Sequence, residues 1–227
     1  MISYTYLLVN FFTIFICFIY SFDKRIEFQK HFKTFFFSST LVAIPFILWD
    51  IYFTKKGIWW FDLQYTLGIE LAGLPIEEWL FFFCIPFSCV FTYYCLNKFF
   101  DWSRFEKYNS YVSILTLLVC IIVMFTQSDK TYTLVTAIVT FVTVFYLHTI
   151  AKVKWLTQAS IIFTILMLGF FPVNGVLTGS FIPSAIVNYN SNEFLNIRMW
   201  TIPIEDAVYG YSQFLLNIYF FKIFSKK

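Results

Sequence analysis

The stretch LPIEEWLFFFCIPF, Leu74 to Phe87, sets two carboxylates directly before an apolar run of membrane-helix character. A charged side chain at bilayer depth costs at least about 2.5 to 3.5 kcal/mol on insertion scales, so such residues usually face the protein interior and serve a function. The arrangement returns in IPIEDAVYGY, Ile202 to Tyr211. In both places proline stands where a helix would begin, the position at which its missing N–H costs nothing. Glu77 and Glu78, and likewise Glu205 and Asp206, then fall in a first helical turn.

Outward from these motifs the chain is apolar almost throughout. Of its 227 residues 59% are hydrophobic, 24% aromatic and only 13% charged, far from the make-up of a soluble domain. A spanning helix needs about 20 mainly apolar residues. Seven windows approach that length: Tyr4 to Phe22, Thr34 to Phe53, Pro75 to Leu96, Tyr111 to Gln127, Tyr132 to Ile150, Thr157 to Leu177 and Pro203 to Phe224, the fourth being the shortest. The expectation is an all-α integral membrane protein of about seven transmembrane helices. No basic segment or small-residue cleavage site marks the first run as a removable signal, so it is expected to stay as an anchor. Cys17, Cys84, Cys89, Cys95 and Cys120 fall inside the windows, with no C-x-x-C pair and no His at ligand spacing. They read as small packing residues, and no metal is expected.

The formal charge of +3 speaks for no nucleic-acid partner, because the cations sit at helix ends. Their distribution sets an expected orientation. With the N-terminus outside, Lys24, Arg25, Lys30, Lys33, Lys98, Arg104, Lys107, Lys152, Lys154, Lys222, Lys226 and Lys227 lie on the cytoplasmic side. Lys55, Lys56, Lys130 and Arg198 remain outside, an asymmetry in the sense of the positive-inside rule. The C-terminus is then cytoplasmic and the membrane expected is the plasma membrane. Acidic residues show the reverse bias, with Asp50, Asp62, Glu70, Glu77, Glu78, Asp129, Glu193, Glu205 and Asp206 at the outer level.

The two Pro-Ile-Glu motifs belong to a longer repeat. Asp62 stands thirteen residues before Pro75, and Asn190 thirteen before Pro203. Upstream, Asp50 in ILWDIYF corresponds to Asn174 in FFPVNGVL, with the second loop about four residues longer. The unit is helix, helix, outer loop, helix. Three-helix units joined directly would point in opposite directions; the extra segment near Tyr111 to Gln127 restores a common direction. The chain therefore divides into a first repeat at 1–100, a linker with its own helix at 101–130 and a second repeat at 131–227. Two parallel repeats about an axis along the membrane normal leave a cleft between them.

Two readings of the acids compete. They complement the positive ends of helix dipoles, or they perform acid–base work in an apolar cavity, where one carboxyl of a pair holds a proton while its partner is ionised. The matched pairs favour the second, which makes Glu77, Glu78, Glu205 and Asp206 the candidate catalytic residues. Aromatic residues crowd the same level, among them Trp60, Phe81, Phe82, Trp200 and Tyr209. Singly each suits packing or a lipid belt; together their faces suit a π-rich substrate that passes through cations. With Asp50 and Arg198 they form the candidate substrate-binding set. Arg198 is either an interfacial charge or a partner of the acids. His148 reads as structural and His31 as solvated. No phosphate-cradling loop, dinucleotide fingerprint or nucleophile with a His base is present.

The duplicated motif, LPIEEWLFFFCIPF in one half and RMWTIPIEDAVYGY in the other, resembles the heterodimer-type lycopene cyclases of bacteria, archaea and fungi. In some of that family the halves are separate subunits and in others they are fused; this chain resembles the fused form over nearly its whole length. The resemblance implies a redox-neutral isomerisation of the ψ-ends of lycopene, or a related linear carotenoid, to β-ionone rings, giving β-carotene through γ-carotene. It implies no cofactor, since the Rossmann fingerprint of the flavin-dependent cyclases is missing. Membrane lipids are the surroundings, with other carotenoid enzymes or a second copy as candidate partners. A membrane prenyltransferase would need aspartate-rich diphosphate motifs that the chain lacks. A proton-coupled carrier would use Asp50, Glu77, Glu205 and His148 as a relay.

Overall fold

The computed structural model describes residues 2–225; Met1, Lys226 and Lys227, the last two counted above among the cytoplasmic-side cations, lie outside them. Each apolar window is a helix: α1 Thr5–Tyr20, α2 Phe32–Lys56, α3 Ile76–Phe99, α4 Asn109–Thr126, α5 Thr131–Phe145, α6 Leu156–Leu177 and α7 Ile204–Ser225. A turn of π-helix, Tyr146–Ile150, prolongs α5 and contains the half-buried His148. Helix α2 ends with Lys55 and Lys56 in its last turn, where cations suit the dipole, and with Gly57 in the left-handed conformation that closes helices.

Five of these helices, α2 to α6, are long and apolar enough to cross a membrane. Helix α7 has the length, 22 residues, but carries Glu205, Asp206, Gln213 and Asn217 on its buried side. The shortest of the seven windows by sequence is the fourth, yet α4 has 18 residues behind a 3-10 turn at Ser103–Tyr108, whereas α1 has 16. At 1.5 Å per residue α1 reaches about 24 Å, short of a 30 Å hydrocarbon core.

The chain runs up and down, with α1, α3, α5 and α7 starting at one end, called here the motif end. Helix α1 packs on α3 and α5 on α7, while α2, α3, α6 and α7 meet in the middle. The main core lies toward the far end, around Val90, Leu147, Ile162, Leu215 and Ile218. A second, around Val42, Phe46, Leu74 and Phe82, joins α2 to α3 below the motif end.

Six short strands cap the motif end, and their pairing displays the repeat. Strands β2 (Glu70–Leu71) and β3 (Leu74–Pro75) form one hairpin; β5 (Arg198–Met199) and β6 (Ile202–Pro203) form its counterpart. Strand β1 (Trp59–Phe61) pairs antiparallel with β4 (Val187–Tyr189), so that Trp60 lies opposite Asn188. Those two residues are 128 apart in the chain, the spacing of Pro75 and Pro203. The Asp62 N–H donates to the Ile186 carbonyl at 2.7 Å and the Asn190 N–H to the Ile58 carbonyl at 2.9 Å, so that the two donors, and likewise the two acceptors, are 128 residues apart. The ribbon is thus the junction of two like halves related by a pseudo-two-fold axis through the Trp60–Asn188 pair.

Candidate active site

Each hairpin leads into its helix through the same set of bonds. The Ile76 N–H donates to the Ile69 carbonyl at 2.9 Å and the Ile204 N–H to the Ile197 carbonyl at 3.0 Å. Before them, the Leu67 N–H donates to Oε1 of Glu77 at 2.7 Å, and the Leu195 N–H to Oε1 of Glu205 at 2.8 Å. The first acid of each motif therefore clasps the loop that precedes it. Thr133 adds a hydroxyl bond to Glu205 at 2.6 Å, and Asn10 holds the Glu77 carbonyl at 2.8 Å. Both acids are buried, and neither lines the main cavity.

The second acid of each motif points elsewhere, because consecutive helical residues project about 100° apart. Glu78 and Asp206 line an apolar cavity of about 580 Å³ between the halves. Its closed end is roofed by the β1–β4 ribbon, which contributes Trp59, Phe61, Val187 and Tyr189. Asp50, near the end of α2, is the third carboxyl there. It accepts a bond from the Trp59 indole N–H at 2.6 Å and a longer one from Thr54 at 3.4 Å. The Asp50 and Glu78 carboxyls interact directly, although Oδ2 of Asp50 has no hydrogen bond of good geometry. Glu78 also accepts from the Tyr6 phenol.

Asp206 is held differently. Tyr132 donates to Oδ1 at 2.7 Å and Tyr189 to Oδ2 at 2.8 Å, so both oxygens are occupied. Tyr189 lies in the connecting ribbon, where burial and then the nearby Asp206 charge push its phenol well above the ordinary range and keep it a donor. Where the first half has Asp50, the second has Asn174, also on the cavity wall.

Tyr209 and Phe81 line the cavity with these acids. Phe82, on the other side of α3, is packed into the core against α2. Trp60, Arg198 and Trp200 lie on the roof instead, around a shallow surface hollow. Arg198 forms no ion pair with the acids; its guanidinium sits 4.9 Å from the Phe194 ring centre and 5.7 Å from that of Tyr189. Trp200 turns the β5–β6 hairpin at φ +60°, a conformation costly for a bulky side chain, and is 74% exposed. His31, read as solvated, packs beside Tyr94 and Phe221.

A family model described as lycopene cyclase matches this chain twice, over residues 3–96 and 129–224. The chain belongs to the lycopene cyclase family. The double match is that of a fused, two-repeat lycopene cyclase. No curated protein and no solved structure matches it. Family membership makes it an enzyme that cyclises lycopene, with a carotenoid substrate drawn from a lipid environment.

Sequence reading missed the phenols that hold the inward acids in this cyclase. The signal was there: Thr5-Tyr6 and Thr131-Tyr132 open the first helix of each half. It also missed Gln213 and Asn217, which line the cavity one and two turns beyond Tyr209 and each carry an amide atom without a partner. Among the described residues no cluster of His, Cys, Asp and Glu suits a metal ion.

Proposed function

We propose that this cyclase converts the ψ-ends of lycopene to β-ionone rings at Asp50, Glu78 and Asp206. The observation that carries the reading is the meeting of three carboxyls, from α2, α3 and α7, at the closed, aromatic end of an apolar cavity. Two carboxyls in contact call for a proton between them, so the Asp50–Glu78 pair is the donor. Asp206, with a phenol donor on each oxygen, is the acceptor. The donor protonates the terminal double bond, the next double bond along the chain closes the six-membered ring on the resulting tertiary cation, and Asp206 removes a ring proton. One proton is added and one removed, so the product is an isomer and no redox partner is consumed. Trp59, Phe81 and Tyr209 present aromatic faces to the cation.

In this reading Glu77 and Glu205 hold the hairpins that aim the second acids. The same reading divides the chain at 1–100, 101–130 and 131–227 and sets the motif end at the outer face of the plasma membrane. The test is expression in lycopene-making cells followed by pigment chromatography. The wild-type protein should yield β-ring products; Glu78→Gln and Asp206→Asn should leave lycopene. Lycopene unchanged by the wild-type protein, as a carrier would leave it, overturns the reading.

A further inference from the structure

Among the described residues the cavity reaches the surface along one edge, between α1 and α6. Besides the acids and the ribbon, its wall includes Phe12 and Ile16 of α1 and Ile165 and Leu168 of α6. These residues also face outward: Phe12 is 66% exposed, Ile16 63%, Leu168 77%. A side chain that is both cavity wall and lipid-facing surface marks an opening, here a lateral one partway down α1 and α6, away from the ribbon. Pro172, one turn along α6, removes the N–H that would bond the Leu168 carbonyl and loosens the helix at this edge.

The pseudo-two-fold axis would place a second mouth between α5 and α2. The structure closes it. Of those two helices the cavity wall takes Tyr132 and Asp50 alone among the described residues. Val139 of α5 instead packs against the apolar cluster that includes Val42, Ala43 and Phe46 of α2, and both helices lie along α7. Among the described residues, two like halves thus enclose a cavity with an acid cluster at its closed end and one lateral exit.

We infer that the enzyme cyclises one end of its substrate per visit and releases the monocyclic polyene into the bilayer before the second end reacts. The inference rests on the cyclase reading above. A conjugated polyene is a stiff rod, and with one end against the acids its other end points out of the mouth. Turning round inside is not open to it, so the far end reaches the acids after the molecule has left and re-entered. Each visit adds one proton and removes one, so the monocycle is an isomer that still carries one reactive end.

The test uses the full-length wild-type protein in lipid vesicles. Isotope-labelled lycopene is supplied with an excess of unlabelled monocyclic product, and the bicyclic product is followed by mass spectrometry from the first turnovers. Release predicts early bicyclic product that is almost entirely unlabelled, with label accumulating in the monocycle. Bicyclic product labelled from the start, undiluted by the pool, overturns the inference while leaving the cyclase reading standing. No consumption of lycopene by the wild-type protein overturns both. A second arm narrows the mouth: Leu168→Trp and Ile16→Trp should slow lycopene loss several-fold, while Leu118→Trp, on the exposed face of α4 and away from the cavity, should not. Equal rates in all three variants also count against the mouth.

Discussion

The two halves of the molecule share a scaffold and differ at the acids. Both hairpins, both clasping glutamates and both crossed bonds of the ribbon are superimposable in pattern, residue for residue at a spacing of 128. Yet Glu78 meets a second carboxyl, Asp50, while Asp206 meets two phenols and finds Asn174 where its acid neighbour would be. Duplication supplied a frame that aims two carboxyls at one point. Divergence then gave them different surroundings, which a reaction needing both a donor and an acceptor requires.

The sharpest way to break that comparison is to remove the inward acids one at a time. Glu78→Gln and Asp206→Asn should each lower cyclisation by about a hundredfold or more at equal protein level in the membrane. If the halves worked independently, either variant would retain about half the activity. Next in size comes the asymmetry itself. Asp50→Asn should lower the rate about tenfold, close to 1.4 kcal/mol of barrier, and adding Asn174→Asp should move the acid pair to the other half and recover part of the loss. A double variant no better than Asp50→Asn would show that the two positions are not interchangeable.

The clasping acids should behave as scaffold. Glu77→Gln and Glu205→Gln keep an acceptor oxygen for the Leu67 and Leu195 N–H groups and should retain most activity, whereas the alanine variants should lose about 0.5 to 1.5 kcal/mol of stability with this part-buried hydrogen bond. Thermal unfolding in detergent, read beside pigment yield, separates the two effects. Loss of activity in the Gln variants at full stability would return these residues to the chemistry.

The smallest effect belongs to the far end of the bundle. There Asp23 pairs with Arg25 at 3.0 Å in an exposed turn, and hydrogen bonds from Arg25 hold its carboxyl down at about 2. A carboxyl so lowered contributes above its ordinary value, and the contribution is lost as pH falls through about 2. Asp23→Asn should leave β-ring formation unchanged and remove that acid-side dependence of the turn. A fall in activity would mean that this end bears on the acids at the other.

By itself the sequence determined the seven helices, the parallel repeat and its register. Hydrophobic length and a motif recurring at fixed spacing are local properties, and bilayer thickness translates them directly into spans. Even the longer second connection was legible: five residues separate Phe53 from Ile58 and nine separate Leu177 from Ile186, each pair joined by a backbone bond. The tertiary structure decided which acid of each pair faces the cavity. Glu77 and Glu78 are neighbours in the chain, and only the partners brought from elsewhere, the Leu67 N–H for one and the Tyr6 phenol with Asp50 for the other, tell them apart. It also decided that Trp60, Trp200 and Arg198 cap the roof while Phe81 and Tyr209 line the cavity, and that one of two symmetry-related gaps is closed. Aromatic composition is the same on either side of a helix. Side-chain direction follows from how seven helices pack around one another, and no stretch of sequence contains that.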